Sequence, residues 1–251
     1  MIEVKNIHKS FDGTEVLKGL STTFERGKTN LIIGRSGSGK TVFIKCMIGL
    51  HRPETGDVLF DGRDFVHMEY KKKQKLRQEI GMVFQGGALF DSMNVEQNVL
   101  FPLNVFSDMS QSEKLDRVNS CLDRVDLENV NQLMPSELSG GMQKRVAIAR
   151  SIVMEPKYLF CDEPNSGLDP NTAIVIDKLV QEITDELSIT TVINTHDMNS
   201  VMEIGEKIIF IKEGNKAWEG SKEEILTSEN KDLNDFIFSS ELFRKIRKSI
   251  S

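Results

Sequence analysis

The segment GRSGSGKT, Gly34–Thr41, has residue types and spacing that could do chemistry on phosphate. It fits the pattern G-x-x-x-x-G-K-[ST], the P-loop. Gly34, Gly37 and Gly39 let backbone N–H groups converge on phosphate oxygens without Cβ clashes, and Ser36 and Ser38 lie within the same cradle. A helix opening near Lys40 would point its positive end at the anion. Lys40 is expected to bridge the β- and γ-phosphates of a nucleotide such as ATP, and the Thr41 hydroxyl to hold Mg²⁺. A second acidic segment, YLFCDEP, puts Asp162 and Glu163 at the end of an apolar run. In an α/β sheet, ligand sites gather at the carboxyl ends of strands. Asp162 fits an acid that supports Mg²⁺, and Glu163 a general base that polarises an attacking water.

Such groups need a rigid frame. LII (Leu31–Ile33), YLFC (Tyr158–Cys161), TVIN (Thr191–Asn194) and KIIFI (Lys207–Ile211) read as buried strands, being short, rich in branched residues and bounded by polar or turn residues. Helical patterns lie between them at Thr41–Leu50, Gln143–Val153 and Thr172–Leu187. This alternation predicts a mostly parallel sheet with helices on both faces. The front segments VKNIHKSF and TEVLKGLSTTF alternate like antiparallel strands, and about 88–155 reads as a helical subdomain.

The 251 residues suffice for one large domain or two small ones. The net charge of -6 gives no global basic field, so nucleic acid is not an expected partner. Cys46, Cys121 and Cys161 are odd in number and lack metal-ligand spacing, which reads as reduced thiols. The first residues do not form a signal peptide, and no apolar run approaches the ~18 residues that span a bilayer. A cytoplasmic chain is expected.

Further segments fall into one order and together resemble the ATP-binding subunit of ABC transporters over nearly the whole chain. Phe11, in KSFDG, matches the aromatic that stacks on adenine, although a Phe beside a strand is otherwise core. Gln85 matches the Q-loop glutamine that reaches Mg²⁺ and the attacking water. LSGGMQ (Leu138–Gln143) resembles the LSGGQ signature, with Ser139, Gly140 and Gly141 intact. SGLD (Ser166–Asp169) resembles the D-loop. THD places His196 at the γ-phosphate, 33 residues after Glu163. Two positions depart from the pattern. Met142 stands where many members have Gln, and Asn165 where Thr or Ala is often found.

The resemblance implies a P-loop NTPase of the ABC ATPase type: a RecA-like core, an antiparallel β-subdomain and an inserted α-helical subdomain. It implies residues 1–222 as the ATPase domain and 223–251 as a C-terminal helical extension. ATP and Mg²⁺ (on Thr41, Gln85 and Asp162) are the implied ligands. The catalytic set is Glu163, His196 and Gln85. Two copies pack head to tail, with Ser139, Gly141 and Asp169 acting across the dimer.

FQGGALFDSMNV, Phe84–Val95, then gains a reading. Ala88, Leu89, Phe90, Met93 and Phe101 line the surface that receives a membrane permease, or else pack the helical subdomain. The wording GGALFDSMNVEQNVLFPL resembles the MlaF group, which energises MCE-type phospholipid transport. That implies an MCE-domain protein as a further partner and a peripheral place on the cytoplasmic face of the inner membrane. An ATPase of another transporter subfamily, or a soluble ABC ATPase serving cofactor assembly, stands as the alternative.

The basic run YKKKQKLRQ (Tyr70–Gln78) reads as a solvated helix face, or a contact to headgroups or the permease. Phe236, Phe243, Ile246 and Ile250 share one helical stripe, beside Arg244, Lys245, Arg247 and Lys248. Docking on its own domain, clasping the second copy and lying in a membrane interface are three readings of that tail.

Overall fold

The computed structural model describes residues 1–238. The chain divides into two compact units, Met1–Met68 with Val192–Ser251, and Glu69–Thr191.

In the first unit, β1 (Ile2–Phe11) and β2 (Thr14–Phe24) form the antiparallel pair expected from their alternation. With β4 (Thr55–Phe60) and β5 (Arg63–Asp64) they make a four-stranded sheet of order β2-β1-β4-β5. Its inward residues Ile2, Val4, Ile7, Leu17 and Phe24 are buried. Phe24 packs on Phe43 of α1 (Lys40–Met47), with ring centroids 6.3 Å apart. β3 (Lys28–Ile33) pairs in parallel with β9 (Lys207–Lys212), as branched two-sided burial predicts. β10 (Asn215–Gly220) adds to β9 antiparallel.

The second unit holds the parallel pair β6 (Ile80–Val83) and β7 (Tyr158–Asp162). All five residues of β7 are buried. Burying one large apolar side chain contributes about 1.5–3 kcal/mol, so Leu159 and Phe160 anchor the strand whose end carries the acids. Helices α2 (Tyr70–Arg77), α3 (Val95–Phe106), α4 (Gln111–Arg124), α5 (Gly140–Ile152) and α6 (Pro170–Leu187) complete this unit. Local chemistry fixes their starts. Asn94 with Gln97, and Ser110 with Glu113, form capping boxes at α3 and α4. α5 packs against α3, α4, α6 and β6 and is the hub of the unit. The helices α3, α4 and α5 share this unit with β6, β7 and α6. α2 carries the basic run and buries only Leu76.

β8 (Thr190–Thr195) straddles the division of the chain. After it come α7 (Met198–Ile204), α8 (Lys222–Thr227) and α9 (Lys231–Ile237). Within the first unit α9 docks on its own strands. Leu233 and Ile237 are buried, Phe236 stacks on Phe210 at 5.3 Å, and Lys212 pairs with Asp232 at 2.6 Å. Phe243, Ile246, Ile250 and the basic residues beside them lie outside the described residues. The three cysteines are buried free thiols, and burial pushes that of Cys46 up to about 12.

Candidate nucleotide site

In the first unit β3 ends at Ile33 and α1 begins at Lys40, so the P-loop joins a buried strand to a helix start. Gly34 is forced by space. A Cβ there would lie 2.3 Å from the Ile211 carbonyl oxygen and 2.7 Å from Ser38 Oγ. Gly39 caps α1 in the left-handed conformation, φ +106°. The β9–β10 turn supports the loop from outside, as the Gly214 N–H donates to the Ser38 carbonyl at 3.1 Å. Lys40 is buried and folds back on its own loop, donating to the carbonyls of Gly34 (2.8 Å) and Arg35 (3.2 Å). Ser38 Oγ is buried without a hydrogen-bond partner. A buried hydroxyl left unsatisfied is costly unless a ligand or water completes it. Ser36 and Gly37 are exposed, and a Cβ on Gly37 would meet nothing within 4 Å. An orphaned hydroxyl, an ammonium and an open glycine turn fit a polyphosphate.

Thr41 Oγ1 accepts a hydrogen bond from Asn194 Nδ2 at 3.2 Å. Asn194 was legible only as part of a strand, yet it steers the hydroxyl expected to hold Mg²⁺. His196 follows β8 and is exposed. Phe11 ends β1 with its ring 39% exposed, held edge-on by His51 at 5.2 Å and capped by Lys9 at 5.1 Å. It is a surface aromatic, not a core one.

In the second unit Asp162 is buried at the end of β7. Glu163 follows with φ +48°, a left-handed conformation that costs a non-glycine residue about 1–2 kcal/mol. Gln85 Nε2 donates to Glu163 Oε2 at 2.9 Å and to Ser166 Oγ at 3.3 Å. The Q-loop glutamine and the candidate base therefore already touch.

Asn165 has a structural reason. Its Nδ2 donates to both carboxylate oxygens of buried Asp177 on α6, at 3.2 and 3.1 Å. The departure from Thr or Ala ties the turn after Glu163 to α6. Asn165→Ala is expected to lower stability by about 1.5–3 kcal/mol, the range for hydrogen bonds to a charged group. A denaturant midpoint shift checks it.

The signature begins α5. Ser139 caps the helix, its Oγ accepting from the Met142 N–H at 3.3 Å, and position 142 enters that contact only through its backbone. Gly141 has a packing cause within the chain, since a Cβ there would sit 2.8 Å from Thr172 Cγ2 of α6. Asp169 caps α6, and hydrogen bonds from the Thr172 hydroxyl and nearby backbone hold its carboxyl below the usual range.

The apolar stretch after Gln85 wraps one side chain. Asn98 is fully buried, its Nδ2 donating to the carbonyls of Phe90, Met93 and Asn94, and its Oδ1 accepting from the Phe90 N–H at 2.8 Å. This staple holds Phe90 out, 41% exposed, against Phe101 with centroids 4.9 Å apart. Both rings line a cavity of about 440 Å³ with Phe84, Ala88, Pro102 and Phe106. Leu89 and Met93 are half-buried. Asn98→Ala is expected to cost about 2–3 kcal/mol by stranding buried backbone groups. Faster amide exchange at Phe90 checks it.

The profile of the ABC transporter family matches residues 17–166. A protein described as the probable ribonucleotide transport ATP-binding protein mkl of Mycobacterium leprae is 36% identical over 236 residues, 94% of this chain and 68% of its own. The methionine import ATP-binding protein MetN of Clostridium tetani is 38% identical over 243 residues, 96% and 76%. The ATP-binding cassette MJ0796, solved as a post-hydrolysis dimer bound to ADP and Pi, superposes with a TM-score of 0.81 at 32% identity, over 88% of this chain and 99% of its own. The cbiO1 protein of Clostridium perfringens, part of the cbiONQ complex, gives 0.84 at 33%, over 99% and 98%. The P-loop, the acids after β7 and the signature at the start of α5 thus stand in an ABC ATPase fold, and the chain belongs to the ATP-binding, ATP-hydrolysing subunits of the ABC transporter family.

Proposed function

We propose that this chain drives phospholipid movement between envelope membranes, as a head-to-tail dimer under a membrane permease at the cytoplasmic face of the inner membrane. The observation that carries the partner is the apolar cavity next to the Q-loop. Exposed aromatic rings rimmed by polar residues, on a surface pinned by a buried Asn, suit a docked helix. Among the described residues no helix is long and apolar enough to cross a membrane. The lipid, and an MCE-domain protein in the assembly, rest on the wording GGALFDSMNVEQNVLFPL.

The residues divide the chemistry. Phe11 stacks on the base, and the P-loop N–H groups with Ser36, Ser38 and Lys40 hold the phosphates. Thr41, Gln85 and Asp162 offer the hard oxygen donors that Mg²⁺ takes. When bound, Mg²⁺ neutralises charge developing on the phosphate oxygens. Glu163 accepts a proton from the attacking water, Gln85 orients that water, and His196 contacts the γ-phosphate. Ser139, Gly140, Gly141 and Asp169 complete the site of the opposing copy. ATP favours the closed dimer, hydrolysis reopens it, and the permease converts the difference into motion.

A second reading follows the relatives described as importers of methionine or transporters of ribonucleotides, and makes the cargo a small polar molecule. The test is a gentle-detergent pull-down from native membranes, with mass spectrometry of proteins and lipids. A multi-span permease with an MCE-domain protein and phospholipid is expected. A permease without these overturns the lipid. No membrane protein at all overturns the transporter assembly in favour of a soluble assembly ATPase.

A further inference from the structure

Lys144 lies one turn into α5, and its side chain is only 7% exposed. A buried ammonium costs several kcal/mol unless a partner compensates it, so its position calls for a reason. Its ammonium donates to the backbone carbonyl of Gln85, a residue 59 positions earlier. Six residues further along α5, Arg150 donates to the Gly87 carbonyl at 2.8 Å and lies 5.6 Å from the Phe90 ring. One helix therefore sets two cations on two carbonyls of the Q-loop. Within this loop Gly87 and Ala88 take left-handed conformations, φ +73° and +49°, and Gln85 and Ala88 are exposed. Yet this is the loop whose amide group rests on the Glu163 carboxylate.

A neutral side chain of similar length would fill the same space. The charge is what needs explaining. Burial pulls the Lys144 pKa down, and the Glu163 carboxylate acts the other way, favouring the charged form. Gln85 thus touches both the ammonium, through its carbonyl, and the candidate base, through its side-chain amide.

We propose that Lys144 is a positioning residue for ATP hydrolysis. Its ammonium holds the Gln85 backbone so that the Gln85 amide stays on Glu163, and it links the signature helix to the Q-loop. This rests on Glu163 being the general base. Wild type, Lys144→Met, Lys144→Arg and Glu163→Gln are compared as full chains, alone and with their membrane assembly. Turnover, nucleotide affinity by equilibrium binding of a fluorescent ATP analogue, and amide hydrogen exchange over 84–90 are read for each.

Lys144→Met is expected to lower kcat about 10- to 100-fold, as small misplacements of catalytic groups do. Its KM and nucleotide affinity stay within about twofold, which marks a loss confined to the reacting state. Exchange over the Q-loop speeds up, and Lys144→Arg, which keeps the charge, restores most of kcat. If Lys144→Met does not fold, Lys144→Gln replaces it. Wild-type turnover in the neutral variants overturns the proposal. So does equal impairment of the Met and Arg variants with a lowered unfolding temperature, which marks packing alone. If Glu163→Gln itself turns over normally, the base assignment fails and takes this inference with it. If Glu163→Gln is inactive and the neutral Lys144 variants are normal, this inference alone fails.

Discussion

Glu163→Gln should cut ATP turnover by about 10²- to 10⁴-fold, the range that a positioned general base contributes. The change is nearly isosteric. The amide oxygen of the new side chain can accept the hydrogen bond that Gln85 Nε2 now gives to Glu163 Oε2, so the Q-loop keeps its contact. The left-handed backbone at this position is no harder for Gln than for Glu. What disappears is the lone pair basic enough to take a proton from water. Nucleotide affinity should therefore hold while kcat collapses, the pattern of an interaction used only in the transition state. Phosphate-release kinetics with parallel nucleotide binding measure both. Near-normal turnover would remove Glu163 from the role.

Lys40→Ala should act on the other side of the ledger, by weakening ATP binding itself. Lys40 is buried and held against the Gly34 and Arg35 carbonyls, so its ammonium is placed within the loop. A hydrogen bond to a charged group contributes about 1.5–3 kcal/mol. At 1.4 kcal/mol per decade, that is a loss of about 10- to 100-fold in affinity. Turnover should fall with it, because on the proposed role the same ammonium would stabilise charge that grows on the phosphate oxygens. Calorimetric titration with ATP is the measurement. Unchanged affinity would mean that the loop binds phosphate through its backbone alone.

The contrast between these two variants shows what could be read from residue order. The P-loop is legible because its chemistry is local: glycine freedom, a lysine and a hydroxyl within eight residues, between a strand and a helix. β7 is legible because two-sided burial leaves an apolar run that stops at Asp162. The contacts that position these groups are not local. Asn194 reaches Thr41 across 153 residues, Gln85 reaches Glu163 across 78, and Lys144 reaches Gln85 across 59. No periodicity encodes such pairs, so Asn194 and Lys144 looked like ordinary strand and helix residues. Asn165 drew notice only as a departure, and its reason, the buried carboxylate of Asp177, lies on another element. Phe11 could be core or surface from its neighbours alone. Its place at the end of β1 decides for the surface. The apolar stretch after Gln85 is partly explained by Asn98, whose four hydrogen bonds to backbone groups of Phe90, Met93 and Asn94 pin the segment that carries the exposed Phe90 ring.

On the proposed function, ATP closes two copies of this chain over shared sites and hydrolysis opens them. Light scattering of the purified Glu163→Gln chain, with and without Mg-ATP, tests it most directly. A monomer mass without nucleotide and a dimer mass with ATP are expected, reversed when Lys40→Ala is added. A mass that does not respond to ATP, in a variant that still binds it, would rule out closure of two copies by nucleotide.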